Sequence, residues 1–176
     1  VGGRAAVLGH SSGAVLALFA AGEGAPISHL FLSEPPFHFG VDLPAEDLPA
    51  RLQALVDAGE QGEAVKLFQR EGVGLPDAVI EQIAASPMFA GLVPLAQSTV
   101  YDATLTAAVE TPTEAMLGVG VPTTVLRGDP TFPILVAAAD RLAAAMPAAE
   151  LVVVPESHDH GLDPEATARL VRSRIA

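Results

Sequence analysis

Apolar positions along the chain follow two different periods, and the change of period divides it. Ala5-Ala6-Val7-Leu8 is a short continuous apolar run that meets Gly9-His10-Ser11-Ser12-Gly13, after which Ala14 to Phe19 continues in an Ala- and Leu-rich block. A strand, a sharp turn and a helix are predicted there, since so short a run suits a buried strand and the block beyond it propagates as helix. Gly22 to Pro26 is a break, and Ile27 to Ser33 reads as a second buried strand stopped by Glu34-Pro35-Pro36, because proline cannot donate to a sheet ladder. Strand, helix and strand joined by a short connection predict parallel neighbours with a right-handed crossover.

Over residues 37–117 the period becomes helical and no strand is evident. Leu48, Leu52, Leu55 and Val56 mark one face of a helix within 45–58; Val65, Leu67 and Phe68 mark another within 61–71; a third begins at Pro76 with Val79, Ile80 and Ile83. Pro87 and Pro94 interrupt the next segment, and a further helix spans 99–109 with Tyr101, Leu105 and Val109 before Thr111-Pro112 breaks it. Short amphipathic helices with proline joints predict a helical cap or lid inserted into an α/β core made of residues 1–36 and 118–176. An ordinary helical subdomain without a gating role has the same pattern.

The strand pattern returns at Thr123 to Arg127 and ends at Gly128-Asp129-Pro130. A helix carrying Leu135, Val136, Ala139, Leu142 and Met146 stops before Pro147, and Glu150 to Val154 is a β-branched strand. Its terminal loop, Pro155 to Gly161, holds His158 and His160, and Asp163-Pro164 opens the last helix as N-cap and first residue.

Composition narrows the function. Half of the 176 residues are hydrophobic and 17% are charged, which places the chain among globular proteins rather than disordered ones. A formal net charge of −12 argues against nucleic acid and anionic membrane surfaces as partners, since both need Lys and Arg clusters. With no cysteine in the chain, disulfides, thiolate metal sites and cysteine nucleophiles are excluded. No apolar run approaches the roughly 18 residues of a membrane span, and a cytoplasmic location is the expectation.

The turn carries the chemistry. Gly9 and Gly13 are expected where a β-carbon would clash as strand end and helix start approach, leaving Ser11 strained at the apex with its hydroxyl projecting. The new helix aims its N-terminal N–H groups and positive dipole end at whatever that hydroxyl attacks. A phosphate-binding loop fits less well: no third glycine completes Gly-x-Gly-x-x-Gly, and no lysine follows Gly13.

Leu8-Gly9-His10-Ser11-Ser12-Gly13, Leu32-Ser33-Glu34-Pro35-Pro36, the helical insertion, Leu126-Arg127-Gly128-Asp129-Pro130 and the closing strand-loop-His-helix together resemble the second half of an α/β-hydrolase with a helical cap. Serine, acid and histidine fall in the chain order of that family's triad. The resemblance implies a partial α/β-hydrolase fold with a mainly parallel sheet, Ser11 as nucleophile, a histidine after the last strand as base, and the Ser12 backbone N–H as one oxyanion donor. Two histidines compete: His158, nearer the strand end, is preferred, and counting back from the last helix favours His160. Two acids compete as well. Asp129 follows the penultimate strand, where many members keep their acid, but its loop is short; Glu34, at the end of the strand after the nucleophile helix, matches a variant and is favoured. His10, Pro35 and His38 are expected to line the substrate site, with no metal and no cofactor.

The same resemblance implies that the family's first strands are missing, along with the loop that donates a second oxyanion N–H. The Val7 strand is then an apolar edge open to pairing. A partner chain, a second copy of this chain, or a longer enzyme of which this is a fragment would cover it. The activity implied is hydrolysis of an ester, thioester or lactone of an apolar small molecule through an acyl-enzyme on Ser11. The alternatives are a non-catalytic hydrolase-like subunit or binding module, and a non-hydrolytic, cofactor-free relative.

Overall fold

The computed structural model describes residues 3–175. Four strands, β1 (Ala5–His10), β2 (Ile27–Ser33), β3 (Thr123–Gly128) and β4 (Ala149–Val154), form one sheet in that order, and each neighbouring pair is parallel. Helix α1 (Ser12–Gly22) connects β1 to β2 and packs on both, and a later helix, Pro133–Ala145, does the same for β3 and β4. All strands therefore end at the same edge of the sheet. In an open parallel sheet that edge is where loops can gather functional groups.

Two compact units divide the chain: residues 1–41 with 109–176, which hold the sheet, and residues 42–108, which are helical. The boundary falls a few residues inside the 37–117 span expected from the sequence. The reason is local: the Glu110 carbonyl accepts the N–H groups of His38 (2.9 Å) and Phe39 (3.1 Å), and its carboxylate accepts that of Gly40 at 2.9 Å. The chain leaving the sheet unit is thus hydrogen-bonded to the chain returning to it.

The helical unit contains α2 (Leu48–Asp57), α3 (Gln61–Leu67), a π-helical turn (Phe68–Gly72), α4 (Asp77–Ala84), α5 (Pro87–Leu92) and α6 (Ala96–Ala108). Leu48, Leu52, Ala64, Val65, Ala96, Val100 and Ala103 make its core, with Phe89 and Leu92 packed against them. Arg51 holds Glu71 through two hydrogen bonds, at 2.7 and 2.6 Å, tying α2 to the π turn. Back in the sheet unit, α7 (Glu114–Leu117) is one turn too short for the apolar period to reveal, and α8 is Pro133–Ala145.

The central strands β2 and β3 are buried almost throughout, as expected where both faces are covered. Helix α9 (Pro164–Ile175) covers one face, where Phe31, Leu126, Val154 and Ala166 cluster with Leu170 and Val171. Asp163 starts it as the sequence predicts, its Oδ1 accepting the Ala166 N–H at 2.7 Å. On the same face His29 donates from Nε2 to Thr124 Oγ1 (3.0 Å), whose hydroxyl donates to Glu150 (3.1 Å), which Arg174 of α9 grips at 2.6 Å. Burial lowers the pKa of His29, with Glu150 opposing and Arg174 assisting.

At the edge, β1 alternates between exposed and partly buried residues, and Leu8 is 44% exposed. Its outer side has no strand among the described residues. No single described helix is long and apolar enough to cross a membrane.

Candidate active site

Ser11 sits between the end of β1 and the start of α1 with φ 55° and ψ −128°. A non-glycine residue is strained at positive φ, and such strain persists only where the surroundings over-determine it. Here they do. The Ser11 N–H donates to the Ser33 carbonyl at 2.9 Å and its own carbonyl accepts the Ala14 N–H at 2.9 Å, so the turn is held from the neighbouring strand and from the helix it begins.

The two turn glycines have different roles. A β-carbon at Gly9 would lie 2.3 Å from the Gly13 oxygen and 2.6 Å from Ala14 Cα, whereas one at Gly13 would meet nothing within 4 Å. The expectation that both avoid a clash is therefore corrected. Gly9 underlies the helix start and must lack a side chain; Gly13 lies one residue into α1 with its α-hydrogens facing open space.

Glu34 follows β2 directly. It is 2% exposed, sits at φ 48°, and donates its N–H to the Leu126 carbonyl at 2.8 Å. Both carboxylate oxygens are engaged: Oε1 accepts the Gly128 N–H at 2.8 Å, and Oε2 accepts from His160 Nδ1 at 2.5 Å. Burial pushes the Glu34 pKa up, but the hydrogen bonds from His160 and Gly128 outweigh it and hold the carboxyl below its ordinary value. Gly128 has no room for a side chain, because a β-carbon would stand 2.4 Å from the Ser157 oxygen and 3.3 Å from Glu34 Oε1.

His160 belongs to the loop after β4 and has φ 64°, preceded by Asp159 at φ 51°. Buried Ser157 anchors that loop: its N–H reaches Val154, its carbonyl accepts from Asp129, and its hydroxyl accepts the Asp163 N–H, each at 3.0 Å. The Asp159 N–H adds a bond to the Pro130 carbonyl at 3.0 Å. Thus the loops after β3 and β4 are bonded into one surface beside Glu34.

His10, the last residue of β1, places Nδ1 3.2 Å from Ser33 Oγ, and its ring lies 4.7 Å from that of His160, centroid to centroid. Burial and the neighbouring His160 lower its pKa, and Glu34 and a hydrogen bond to the His160 main chain raise it less. Pro35 is buried next to Glu34. Ser12 is the first residue of α1.

The other candidates have different partners. His158 is exposed and donates from Nδ1 to the Asp129 carbonyl at 3.2 Å, and the Asp129 side chain is exposed too. His38 donates from Nδ1 to the Val41 carbonyl at 3.2 Å. Gly128, Ser33 and Ser157 were not singled out from the sequence, and nothing in their local pattern separates them from ordinary strand-end residues. Only the acid's address could have pointed to Gly128, since a carboxylate ending β2 faces the end of the adjacent strand.

A parallel sheet with a strained serine at the first strand-to-helix turn, and an acid and a histidine beyond the ends of later strands, defines an α/β protein that gathers these groups at one sheet edge. The chain belongs to the alpha/beta hydrolase family, whose model matches residues 1–170. It is similar to the solved structure of an alpha/beta hydrolase from Sphaerobacter thermophilus DSM 20745, at 33% identity and a TM-score of 0.89 over 99% of this chain and 68% of that one. A thermophilic esterase from Thermogutta terrifontis matches at 18% identity and TM-score 0.63 (98% of this chain, 65% of that one). An enol-lactonase from Burkholderia xenovorans LB400 matches at 16% and 0.61 (98% and 64%). The chain spans about two thirds of the length of these structures. No curated protein matches the sequence.

Proposed function

We propose that this chain carries the nucleophile, base and acid of a serine hydrolase: Ser11, His160 and Glu34. One observation carries the reading. Three of the six non-glycine residues at positive φ among the described residues are these three, at the ends of β1 and β2 and in the loop after β4, and two of them are joined by the His160–Glu34 hydrogen bond. Strain shared by residues from three separate segments marks a site held in shape at the expense of local comfort. His160 takes the place of His158 in this reading, because it is the histidine whose Nδ1 the acid holds.

With Nδ1–H given to Glu34, the Nε2 of a neutral His160 is the basic nitrogen. It accepts the Ser11 proton as Oγ adds to the substrate carbonyl carbon, and the Ser12 N–H contributes to the oxyanion site. The imidazolium, facing the ionised Glu34, then protonates the leaving alcohol or thiol as its bond to carbon breaks. Water, losing a proton to the same Nε2, attacks the acyl-Ser11, and the acid product leaves with Ser11 restored. The substrate is an ester, thioester or lactone of apolar character. The esterase and lactonase similarities support that class.

The open side of β1, with Leu8 exposed, is taken up in this reading by a further strand: from a partner chain, a second copy, or a longer polypeptide. Native mass measurement separates a self-associated form from a monomer of 18.0 kDa. The chemistry is tested with a fluorophosphonate probe on the assembled protein. A covalent adduct on Ser11, absent in Ser11→Ala, is expected; a protein that stays unlabelled at Ser11 is not a serine hydrolase.

A further inference from the structure

We infer that the outer edge of β4 and the adjoining side of α9 form a twofold interface for a second copy of this chain. β4 lies at the end of the sheet opposite β1, and its outer side has no strand among the described residues. It pairs with β3 along all six residues without a shift of register, so the free row of N–H and C=O groups on its other side is regular. A sheet edge is commonly blunted by a bulge, a proline or an unpaired charge. Ala149 to Val154 has neither bulge nor proline, and its single charged residue, Glu150, is held by Thr124 at 3.1 Å and Arg174 at 2.6 Å. The alternation of the strand also leaves an apolar pair uncovered. Val152 and Val154 pack with Ala166 and Leu170 of α9, whereas Leu151 and Val153, on the opposite face, are 38% and 39% exposed. Antiparallel pairing about a twofold axis at Val152 sets Leu151 beside the partner's Val153, and Val153 beside the partner's Leu151.

Charge identifies the occupant. α9 runs back along β4: Arg174 holds Glu150 near the start of the strand, and Arg169 reaches Glu156, just beyond its end, at 3.0 Å. The helix is acidic in its first turn, at Glu165, and basic in its last, at Arg172 and Arg174. Among the described residues Arg172 alone of the nine cations has no hydrogen bond, ion pair or ring contact, although acids outnumber bases by 21 to 9. Glu165 has no ion pair among them either. The axis that pairs the two strands also reverses one α9 against the other, so that the Glu165 end of each helix approaches the partner's Arg172. That is the self-complementarity a twofold dimer requires. An acidic partner such as a nucleic acid would satisfy Arg172 and oppose Glu165. The inference is independent of the triad and of whatever covers β1 at the other end of the sheet.

Sedimentation equilibrium of the full chain over a concentration series tests it. A dimer of twice the 18.0 kDa chain is expected, returned to monomer by Val153→Lys and left intact by Leu8→Lys on β1. Arg172→Glu and Glu165→Arg should each weaken the dimer about tenfold, and the double variant should recover most of the affinity. Circular dichroism establishes that each variant is folded; if Val153→Lys unfolds, the charge pair decides. A chain still monomeric at about 100 μM, where a specific interface of standard size is populated, overturns the inference. So does a dimer that Leu8→Lys dissociates and Val153→Lys does not, which would place self-association at β1. A double charge reversal no tighter than the single ones overturns it as well.

Discussion

Glu34 and His160 stand 126 residues apart in the chain and share a 2.5 Å hydrogen bond, while the other Glu34 oxygen takes the Gly128 N–H. An acid bound at both oxygens cannot turn, so it imposes one tautomer on the imidazole it faces. Glu34→Gln keeps the size but presents an amide where the carboxylate accepts, and the wrong tautomer follows. The expected loss is about 10,000-fold in turnover, with folding retained. Steady-state kinetics on the purified variant checks it, and a loss under tenfold would remove Glu34 from the triad.

The two loop histidines separate cleanly by substitution. His160→Ala should abolish Ser11 labelling, whereas His158→Ala, which removes an exposed ring bonded to the Asp129 carbonyl, should leave it within a few-fold. Equal damage from both, in folded protein, would mean that the loop rather than one imidazole matters.

Glycine substitutions test the turn geometry. Gly9→Ala drives a β-carbon to 2.3 Å from the Gly13 oxygen, which is an overpacking cost of about 1–3 kcal/mol or more and a displaced Ser11. Gly128→Ala meets the Ser157 oxygen at 2.4 Å and should depress both stability and labelling. Gly13→Ala should raise stability by about 0.4–1 kcal/mol, since it removes unfolded-state freedom without a clash. Thermal melts of the three rank them; a stable Gly9→Ala protein would contradict the close approach.

Stability should fall in two stages on acidification. His10 and His29 have folded pKa values below the ordinary 6.5, so their contribution is full above that value and is lost as pH drops through the folded values. Glu34 has a folded pKa below 4.5, so its contribution is full above 4.5 and is lost as pH falls further. His29→Gln should flatten part of the first stage and Glu34→Gln the second. Melting temperature measured from pH 8 to pH 3 checks this, and a curve flat between pH 7.5 and pH 5 would contradict the first stage.

Much of this was legible from short-range pattern. Apolar runs of strand length at 5–8, 27–33, 123–127 and 150–154 all became strands, and their order predicted the parallel sheet, because each strand-helix-strand unit admits few topologies. The place of Glu34 at the end of β2 was legible in outline for the same reason. Which histidine would bond it was not, since only Asp159 separates His158 from His160 and both Asp159 and His160 sit in the left-handed region, which no apolar period reports. The tertiary partner, a carboxylate from another strand, decides which ring turns inward. Gly13 misled because a glycine in a sharp strand-to-helix turn looks necessary, and whether its β-carbon has space depends on packing the sequence does not encode locally.

Glu110 has a consequence beyond the boundary it marks. Since it bonds the outgoing segment at His38, Phe39 and Gly40 to the returning one, the excursion into the helical unit starts and finishes at a single closed stitch. A loop closed at its base behaves as an interchangeable module: its length and sequence can drift, or be replaced outright, with little entropic penalty to the scaffold. The excursion can therefore be exchanged while Glu34, a few residues upstream of the stitch, keeps its place.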